Sequence, residues 1–335
     1  MFAYPQSEVL ARRISSIPLV HQATSAPDAV FIPFRNRYKS LNRLLAELNW
    51  YEGPIYVLIS HDTDQSRISP SLAPDVRLLH AQNSEFSTAI QSLKTMRPDN
   101  LRSTLVGWDL PLKRNLAILH SVKQRYQNVL ILDDDITRLS PELLATGTIA
   151  LDSVKLSGCL ITGFPDTSVI GHIEMQLGEP YIPFLSGSCL FFRPHDIEGF
   201  FPLIYNEDWL FMVSACLSCS IASVGEVNQI SYDPFDDDLR IPNQEFGEII
   251  AEGIFELLAR DHYSLRHDMS FWSDYVAYRK SYVAELLTQA DPGIKSLVQN
   301  SLRSIEQISA SDCLKFIQQW EEDSETFNRM KTYAT

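Results

Sequence analysis

Basic residues are scarce in this 335-residue sequence, which has 28 lysines and arginines against 42 aspartates and glutamates and a formal net charge of −14. So acidic a chain disfavours non-specific attraction to nucleic acids or to anionic membranes, and we expect no nucleic-acid partner. A ligand that carries phosphate would therefore need a local group of basic side chains.

Long apolar segments are also missing, since no uninterrupted apolar run reaches the roughly 18 residues that a membrane-spanning helix needs. The first residues, MFAYPQSEVLARR, lack the basic-then-apolar order of a signal peptide. There are five cysteines, and the pair Cys216 and Cys219 has no second Cys or His pair nearby, so we expect reduced thiols. These absences predict a cytoplasmic protein without a membrane span.

The residues that are present are those of an ordinary globular protein, with 45% hydrophobic and 21% charged residues. The length predicts one large α/β domain with an appended helical region. Apolar runs at 29–34, 55–60 and 128–132 are typical of short buried strands, and they alternate with segments of helical spacing. From Glu245 onward the pattern is mainly helical.

Three adjacent aspartates, Asp133, Asp134 and Asp135, follow the apolar run NVLIL. Carboxylates at the end of a buried strand repel each other unless a cation compensates them, and their oxygens suit Mg²⁺ or Mn²⁺. A solvated turn with an aspartate capping the next helix is the alternative. If the chain stays extended, Asp133 and Asp135 point to one side and Asp134 to the other. Asp135 is then the first candidate metal ligand, and Asp133 contacts a hydroxyl group or the metal site.

The segment VLILDDDI resembles the Asp-x-Asp strand of the GT-A glycosyltransferases, and Asp133 and Asp134 are then expected at the nucleotide sugar. AVFIPFRNRYKSLNRLL is similar to the opening strand, loop and helix of family-two-like members. That similarity implies nucleotide contacts at Pro33, Phe34, Arg35 and Asn36. ISHDTD resembles the end of their second strand, which implies that Asp62, or Asp64 in reserve, receives the base or ribose.

Three later segments extend the resemblance. LKRNLAI is similar to the helix start that faces the nucleotide diphosphate, which implies that Lys113 and Arg114 supply basic charge there; a solvated helix turn is the alternative. LSGSCLFF resembles a turn of small residues before the acceptor-side strand and implies that Ser186 and Gly187 lie near the transferred sugar.

The segment YNEDWLF resembles the acidic motif beside the acceptor site. This implies that Asp208 is the general base that deprotonates the acceptor, with Glu207 as the alternate. A helix amino terminus with Asn206 as its cap is the competing interpretation.

Together the segments imply a GT-A-like single mixed, mostly parallel sheet sandwiched by helices, with a helical C-terminal extension. The expected domains are an N-terminal extension at 1–27, a catalytic domain at 28–240 and a helical region at 241–335 packed on the core. The expected reaction moves a sugar from a nucleoside-diphosphate sugar to a hydroxyl of a small-molecule or glycan acceptor, with Mn²⁺ or Mg²⁺ and with inversion.

Several points stay open at this stage, among them donor, acceptor, stereochemistry, oligomeric state and a third metal ligand, for which Asp233, Asp236 and His262 are candidates. A metal-dependent nucleotidyltransferase is the alternative enzyme. The loop PFRNRYKS argues against it because it lacks the glycines that cradle a triphosphate. A non-catalytic protein that binds a nucleotide sugar or metal is the third possibility.

Overall fold

The computed structural model describes residues 5–20, 25–97, 108–236 and 240–334. The strands of these ranges are β1 (Ile14–Ser16), β2 (Ala29–Phe34), β3 (Ile55–Ile59), β4 (Val76–His80), β5 (Val129–Leu132), β6 (Ile136–Thr137), β7 (Leu156–Gly163), β8 (Leu185–Phe192) and β9 (Ile221–Gln229). They form one sheet in the order β1-β9-β7-β8-β5-β2-β3-β4, and the short β6 pairs with β9.

The sheet is mixed and mostly parallel. β5, β2, β3 and β4 pair in parallel, and so do β7, β9 and β1. β8 lies between these two groups and is antiparallel to both of its neighbours, and β6 is antiparallel to β9. Because helices cover both faces and dominate the carboxyl-terminal region, the predicted fold class is confirmed.

Helices make up most of the remaining structure. Their bounds are α1 (Pro5–Arg13), α2 (Tyr38–Glu47), α3 (Ser87–Ser92), α4 (Leu110–Gln124), α5 (Pro141–Ala150), α6 (Val169–Gln176), α7 (Glu207–Leu217), α8 (Arg240–Ala259), α9 (Met269–Gln289), α10 (Lys295–Ile305) and α11 (Ala310–Tyr333). α2 and α5 cover one face of the sheet, and α4 and α7 to α11 lie over the other. In the described ranges no helix combines the length and the apolar character needed to cross a membrane.

The central strands are buried on both faces. Val30, Ile32 and Phe34 of β2 belong to the core under α2 and α5, and Ala29 and Phe31 belong to the core on the opposite face. Burial on both faces explains why such strands have continuous apolar runs. Each large apolar side chain buried in this way contributes about 1.5–3 kcal/mol.

The amino-terminal segment, predicted as an extension, is integrated into the fold. β1 pairs in parallel with β9, with Ile14 opposite Ile221. Val9 of α1 is fully buried, and the Arg13 guanidinium donates to the Leu258 carbonyl of α8 at 2.8 Å. The edge strand escaped prediction because its three residues, two of them exposed serines, show no hydrophobic pattern.

The carboxyl-terminal helices pack on the core. Trp272 of α9 and Phe327 of α11 are fully buried within the same apolar cluster as residues of the sheet. The carboxylate of Asp323 on α11 accepts hydrogen bonds from the backbone of Lys94 at 3.0 Å and of Thr95 at 2.7 Å. The cysteines are free thiols, and Cys219 alone among the five is exposed.

Candidate active site

Polar side chains gather at one edge of the sheet. β2, β3 and β5 are parallel, so the residues that follow them, 35–37, 60–62 and 133–135, open on the same edge. β8 runs in the opposite direction, and its first residues therefore reach this edge too. Ligands bind at such an edge in open parallel sheets.

Arg114 of α4 lies at the centre of the site. Its side chain is 4% exposed, and Nη1 donates to Glu207 Oε1 at 2.7 Å. Nη2 donates to both carboxylate oxygens of Asp133, at 3.0 and 3.1 Å. A Cβ atom added to Gly187 would lie 2.3 Å from Arg114 Nη1, so a glycine is needed where the guanidinium packs on β8. The predicted residues Arg114, Asp133, Gly187 and Glu207 are thus brought together.

The segment 185–188 is strand rather than the turn that the sequence suggested, because Leu185–Phe192 pairs with both β5 and β7. Ser186 and Ser188 are buried within β8. The hydroxyl of Ser188 donates to Asp133 Oδ2 at 3.0 Å, and its oxygen lies 3.4 Å from Asp166 Oδ2.

Asp208 is the second residue of α7 and lies beside this arginine. Its Oδ2 accepts a hydrogen bond from the Gly187 backbone at 2.5 Å, and its Oδ1 accepts one from the Trp209 backbone at 3.0 Å. Burial raises the pKa of Asp208, and it raises the pKa of Glu207 to about 8 despite the nearby Arg114. The pKa of each carboxyl is therefore higher than that of an exposed aspartate or glutamate.

The acidic motif is a helix amino terminus, as the competing interpretation expected, with Asn206 at the N-cap position and both acids in the first turn, but the Asn206 side chain does not cap the helix. Asn206 adopts a left-handed conformation, with φ of 61°, and its side chain makes no capping hydrogen bond to α7. Its Nδ2 instead donates to Glu248 Oε1 of α8 at 3.2 Å. Asn206 therefore connects the acidic motif to the carboxyl-terminal helices.

The aspartate triplet does not continue β5 in an extended form. The chain turns after Leu132, and the Ile136 N–H donates to the Asp133 carbonyl at 3.2 Å. Asp133 consequently faces Arg114, and Asp134 and Asp135 both face Arg37. The alternation expected of an extended chain, with Asp133 and Asp135 on one side, is absent for this reason.

Arg37, which the sequence interpretation passed over in favour of Arg35, compensates the two buried carboxylates. Its Nη2 lies 2.5 Å from Asp134 Oδ1, and its Nη1 donates to Asp135 Oδ2. Burial raises the pKa of Asp134 to about 8, and it also raises the pKa of Asp135. The Arg37 side chain is 52% exposed, whereas the side chains of Asp134 and Asp135 are 0% and 4% exposed.

Oxygen atoms beside Arg37 fit a hard cation. Asp134 Oδ2, Asp135 Oδ1 and Gln229 Oε1 are buried and hydrogen-bond no atom of the described residues. Such an oxygen-only donor set suits Mg²⁺ or Mn²⁺. Across the described ranges no three His, Cys, Asp or Glu residues form a metal-binding group. The candidate third ligands Asp233, Asp236 and His262 therefore do not complete one.

Lys113 lies in a closed network. It is 1% exposed, and its Nζ donates to the Phe34 carbonyl at 2.8 Å, to Ser60 Oγ at 2.7 Å and to Asp109 Oδ1 at 2.7 Å. Burial lowers the pKa of Lys113. Its charge thus links β2, β3 and α4, whereas the sequence predicted that it would contact a diphosphate. Asp109, the main partner, was not predicted.

The predicted nucleotide loop is shorter than the sequence suggested. Pro33 and Phe34 belong to β2 and are buried, whereas Arg35 and Asn36 are exposed. Arg35 Nη2 lies 3.8 Å from Asp62 Oδ2, which places two predicted nucleotide contacts side by side. Asp64, the reserve candidate, caps a short 3-10 turn, and it accepts a hydrogen bond from the Ser66 backbone at 3.1 Å.

Asp166 is a site residue that sequence reasoning missed. It follows β7 and is partly buried, and burial together with the charge of Asp208 raises its pKa to about 7. The sequence does contain a signal for it, because Asp166 follows a buried strand closely, as the aspartate triplet does.

A cavity of about 590 Å³ joins these groups to the carboxyl-terminal helices. Arg114, Asp133, Asp166 and Asp208 line its sheet side, and residues of α8 and α9 line the other side. The same cavity is therefore lined both by the residue that follows β5 and by the start of α7.

Asp166 makes the stability of the protein depend on pH. Because its folded-state pKa is raised from 3.8 to about 7, its contribution is fully present below about pH 4 and is lost as pH rises through about 7. Asp166→Asn should flatten the fall in melting temperature between about pH 4 and about pH 7. The exposed Asp152→Asn variant is the control, and identical profiles for wild type and Asp166→Asn would contradict the expectation.

The solved structures that are similar to the chain include the following two. One is a mannose-1-phosphate geranyltransferase from Thermus thermophilus, with 13% identity, a TM-score of 0.32 and coverage of 50% of this chain. The chain spans 57% of the length of that structure. The other is a protein assigned as a nucleotide-diphospho-sugar transferase from Desulfovibrio desulfuricans, with 9% identity, a TM-score of 0.33 and coverage of 82% of this chain and 98% of that chain. No protein-family model and no curated protein matches the sequence.

Proposed function

We propose that this chain is a glycosyltransferase that moves a sugar from a nucleoside-diphosphate sugar to an acceptor hydroxyl. The observation that carries the proposal is the meeting of Asp133 and Arg114 with Glu207 and Asp208 at one cavity, on the carboxyl edge of a mostly parallel sheet. Donor and acceptor groups can face each other there within reach of both acidic segments.

The donor side lies along the loops after β2, β3 and β5. Arg35, Asn36 and Asp62 are exposed and polar, which suits the base and ribose of a nucleotide. A divalent cation, held by Asp135 with neighbouring oxygens of Asp134 and Gln229, would neutralise charge on the departing nucleoside diphosphate. Arg37 binds the same carboxylates, and its exposed side chain can instead turn toward a phosphate oxygen.

The acceptor side lies at the start of α7. Asp208 takes the proton of the acceptor hydroxyl, whose oxygen forms the new bond to the anomeric carbon as the bond from that carbon to the diphosphate oxygen breaks. Two backbone N–H groups hold the Asp208 carboxylate in one orientation. Arg114 sets the spacing between the two sides because it binds both Asp133 and Glu207.

Donor cleavage tests the proposal. The full chain is incubated with uridine, guanosine and thymidine diphosphate sugars and Mn²⁺, and release of the nucleoside diphosphate is measured. For one donor we expect release that stops when the metal is chelated and that falls about a hundredfold in Asp135→Asn. Asp152→Asn, an exposed carboxylate paired with Arg193, is the matched control.

Three results would count against this function. Release that is independent of metal, or unchanged in Asp135→Asn, would contradict the metal role. Pyrophosphate formed from a nucleoside triphosphate and a sugar phosphate, without cleavage of any nucleotide sugar, would identify a nucleotidyltransferase instead. Tight binding of a nucleotide sugar without release would identify a non-catalytic protein.

A further inference from the structure

The cavity beside the acidic motif is formed in large part by the carboxyl-terminal helices. Glu248 and Glu252 of α8 line it, together with Tyr278 and Arg279 of α9 and the exposed Glu285 farther along α9. It reaches from these residues to Asp208 and Asp133. Any acceptor that approaches Asp208 through the cavity therefore contacts α8 and α9.

The lining is strongly acidic. Among the described residues it contains nine carboxylates and two guanidinium groups. Both guanidinium groups are already neutralised, since Arg114 binds Asp133 and Glu207, and Arg279 lies 3.1–3.3 Å from three glutamates of α8. A phosphate or carboxylate on a ligand would meet like charges without a cation to pair with.

Burial keeps part of this wall uncharged. Burial and the charge of Glu252 raise the pKa of Glu248 to about 8, and burial also raises the pKa of Glu252, while Arg279 opposes both shifts. A carboxyl whose pKa is raised in this way is partly protonated near neutral pH, so it can donate a hydrogen bond as well as accept one. An anion bound beside these groups would oppose their ionisation further and would have no cation to pair with.

Donor and acceptor groups for a hydroxyl-rich ligand are present on the same wall. Arg279 lines the cavity and its side chain is 4% exposed; its buried Nη2 atom lies 3.3 Å from Glu248 Oε2 and makes no hydrogen bond to the described residues. Buried polar groups are seldom left in this state unless a ligand or water completes them. An N–H donor beside carboxylate acceptors matches a hydroxyl group, which both accepts and donates.

Aromatic side chains complete the lining. Tyr275, Tyr278 and Tyr282 follow one another on α9, with ring centroids 5.9 and 6.1 Å apart, and Trp108 and Tyr181 lie on other walls. Aromatic rings bury the apolar face of a ligand. The hydroxyl of Tyr282 donates to Glu174 Oε1 at 2.8 Å, so this ring is held in place beside the cavity. A sugar ring has such an apolar face of C–H groups, bordered by hydroxyls.

We propose that this cavity is the acceptor site and that it binds a carbohydrate without negative charge, with the glutamates of α8 and α9 excluding anionic acceptors. Only the assignment of this ligand as the acceptor rests on the proposed glycosyl transfer. The carbohydrate preference follows from the paired arginines, the buried carboxyls beside Arg279 and the tyrosines. The helical region after residue 240 is then part of the binding site as well as a cover for the core.

Binding measured without any nucleotide tests the preference. Glucose, galactose and mannose are titrated into the full chain by calorimetry, each against its uronate, which replaces a hydroxymethyl group with a carboxylate. At least one neutral sugar should bind about tenfold more tightly than its uronate. Glu252→Gln and Glu285→Gln should each narrow that ratio about threefold, because each removes one charge from the wall.

Two features keep this test decisive. Glu252 is paired with Arg279 and its substitution could disturb folding, whereas Glu285 is exposed, so Glu285→Gln measures the charge effect in an intact fold. Glu322→Gln, on the exposed surface of α11, is the matched control and should leave the ratio unchanged. A uronate that binds as tightly as its neutral sugar, an unchanged ratio in both pocket variants, or no binding of any neutral sugar would overturn the proposal.

The outcome is separable from that of the donor experiment. Preferential binding of a neutral sugar by a chain that cleaves no nucleotide sugar would contradict the proposed function and leave the carbohydrate site standing. Donor cleavage by a chain that prefers uronates would support the proposed function and contradict the site for a neutral carbohydrate.

Discussion

Arg114→Met is expected to lower the rate of donor cleavage at least about a hundredfold and the free energy of unfolding by about 3–5 kcal/mol. The loss of stability follows from burial, since Glu207 is 4% exposed at its side chain and Asp133 is 16% exposed. Without the guanidinium both carboxylates would stay close together and lack a cation. The loss of rate follows because the same guanidinium fixes the distance between the donor and acceptor sides.

Urea unfolding and nucleoside diphosphate release measure the two effects. Arg193→Met removes a guanidinium from a partly exposed ion pair with Asp152 and should cost at most about 1 kcal/mol. Arg114→Lys separates charge from geometry, because one ammonium cannot form the parallel hydrogen bonds that Arg114 gives to Asp133 and also reach Glu207. We expect it to recover stability more than rate. Equal stability losses for Arg114→Met and Arg193→Met would contradict the buried role.

The strands at the centre of the sheet could be predicted because their sequences match the pattern of a buried strand and no other. β2 and β5 are buried on both faces, and a short continuous apolar run bounded by polar residues is typical of that environment. Their parallel order also predicts that the residues after them share one edge. The grouping of Arg35, Asp62 and Asp133 on that edge was therefore accessible from the sequence.

β9 was not predicted, and the structure shows why. Ile221, Val224 and Val227 are fully buried at a spacing of three, which is not the alternation of a regular strand. The register with β7 shifts at this point, so one additional residue of β9 faces β7, and Gly225 has φ of 144°. A β-bulge of this kind breaks the period of two on which strand prediction depends.

The directions of the side chains at the site could not be predicted either, because they depend on local backbone geometry. Lys113 and Arg114 are adjacent on α4, yet one enters a closed network under β2 and β3 and the other reaches the cavity. The turn after Leu132 likewise sends Asp133 to Arg114 and leaves the next two aspartates with Arg37. A single turn of the chain, or the change of direction between adjacent residues of a helix, decides where each side chain points. Residue type and spacing in the sequence do not determine either one.

Asp208→Asn should lower kcat for donor cleavage by about 10²–10⁴ and leave nucleotide-sugar binding nearly unchanged. The substitution removes the proton acceptor and preserves the size of the side chain. Glu207→Gln should have a smaller effect on kcat, since Glu207 acts through its hydrogen bond to Arg114. Steady-state rates and equilibrium binding of the donor, measured for both variants, distinguish these two roles.

The pH profile identifies which carboxyl accepts the proton. Burial raises the pKa of Asp208 and of Asp166, the latter to about 7, so a base of either kind loses activity as pH falls and it becomes protonated. If Asp208 is the base, Asp166→Asn retains activity and moves the acid limb to lower pH, because the charge of one carboxylate raises the pKa of the other. If Asp166→Asn abolishes cleavage and Asp208→Asn does not, the base is the carboxyl that follows β7, and Asp208 serves to orient the backbone of Gly187.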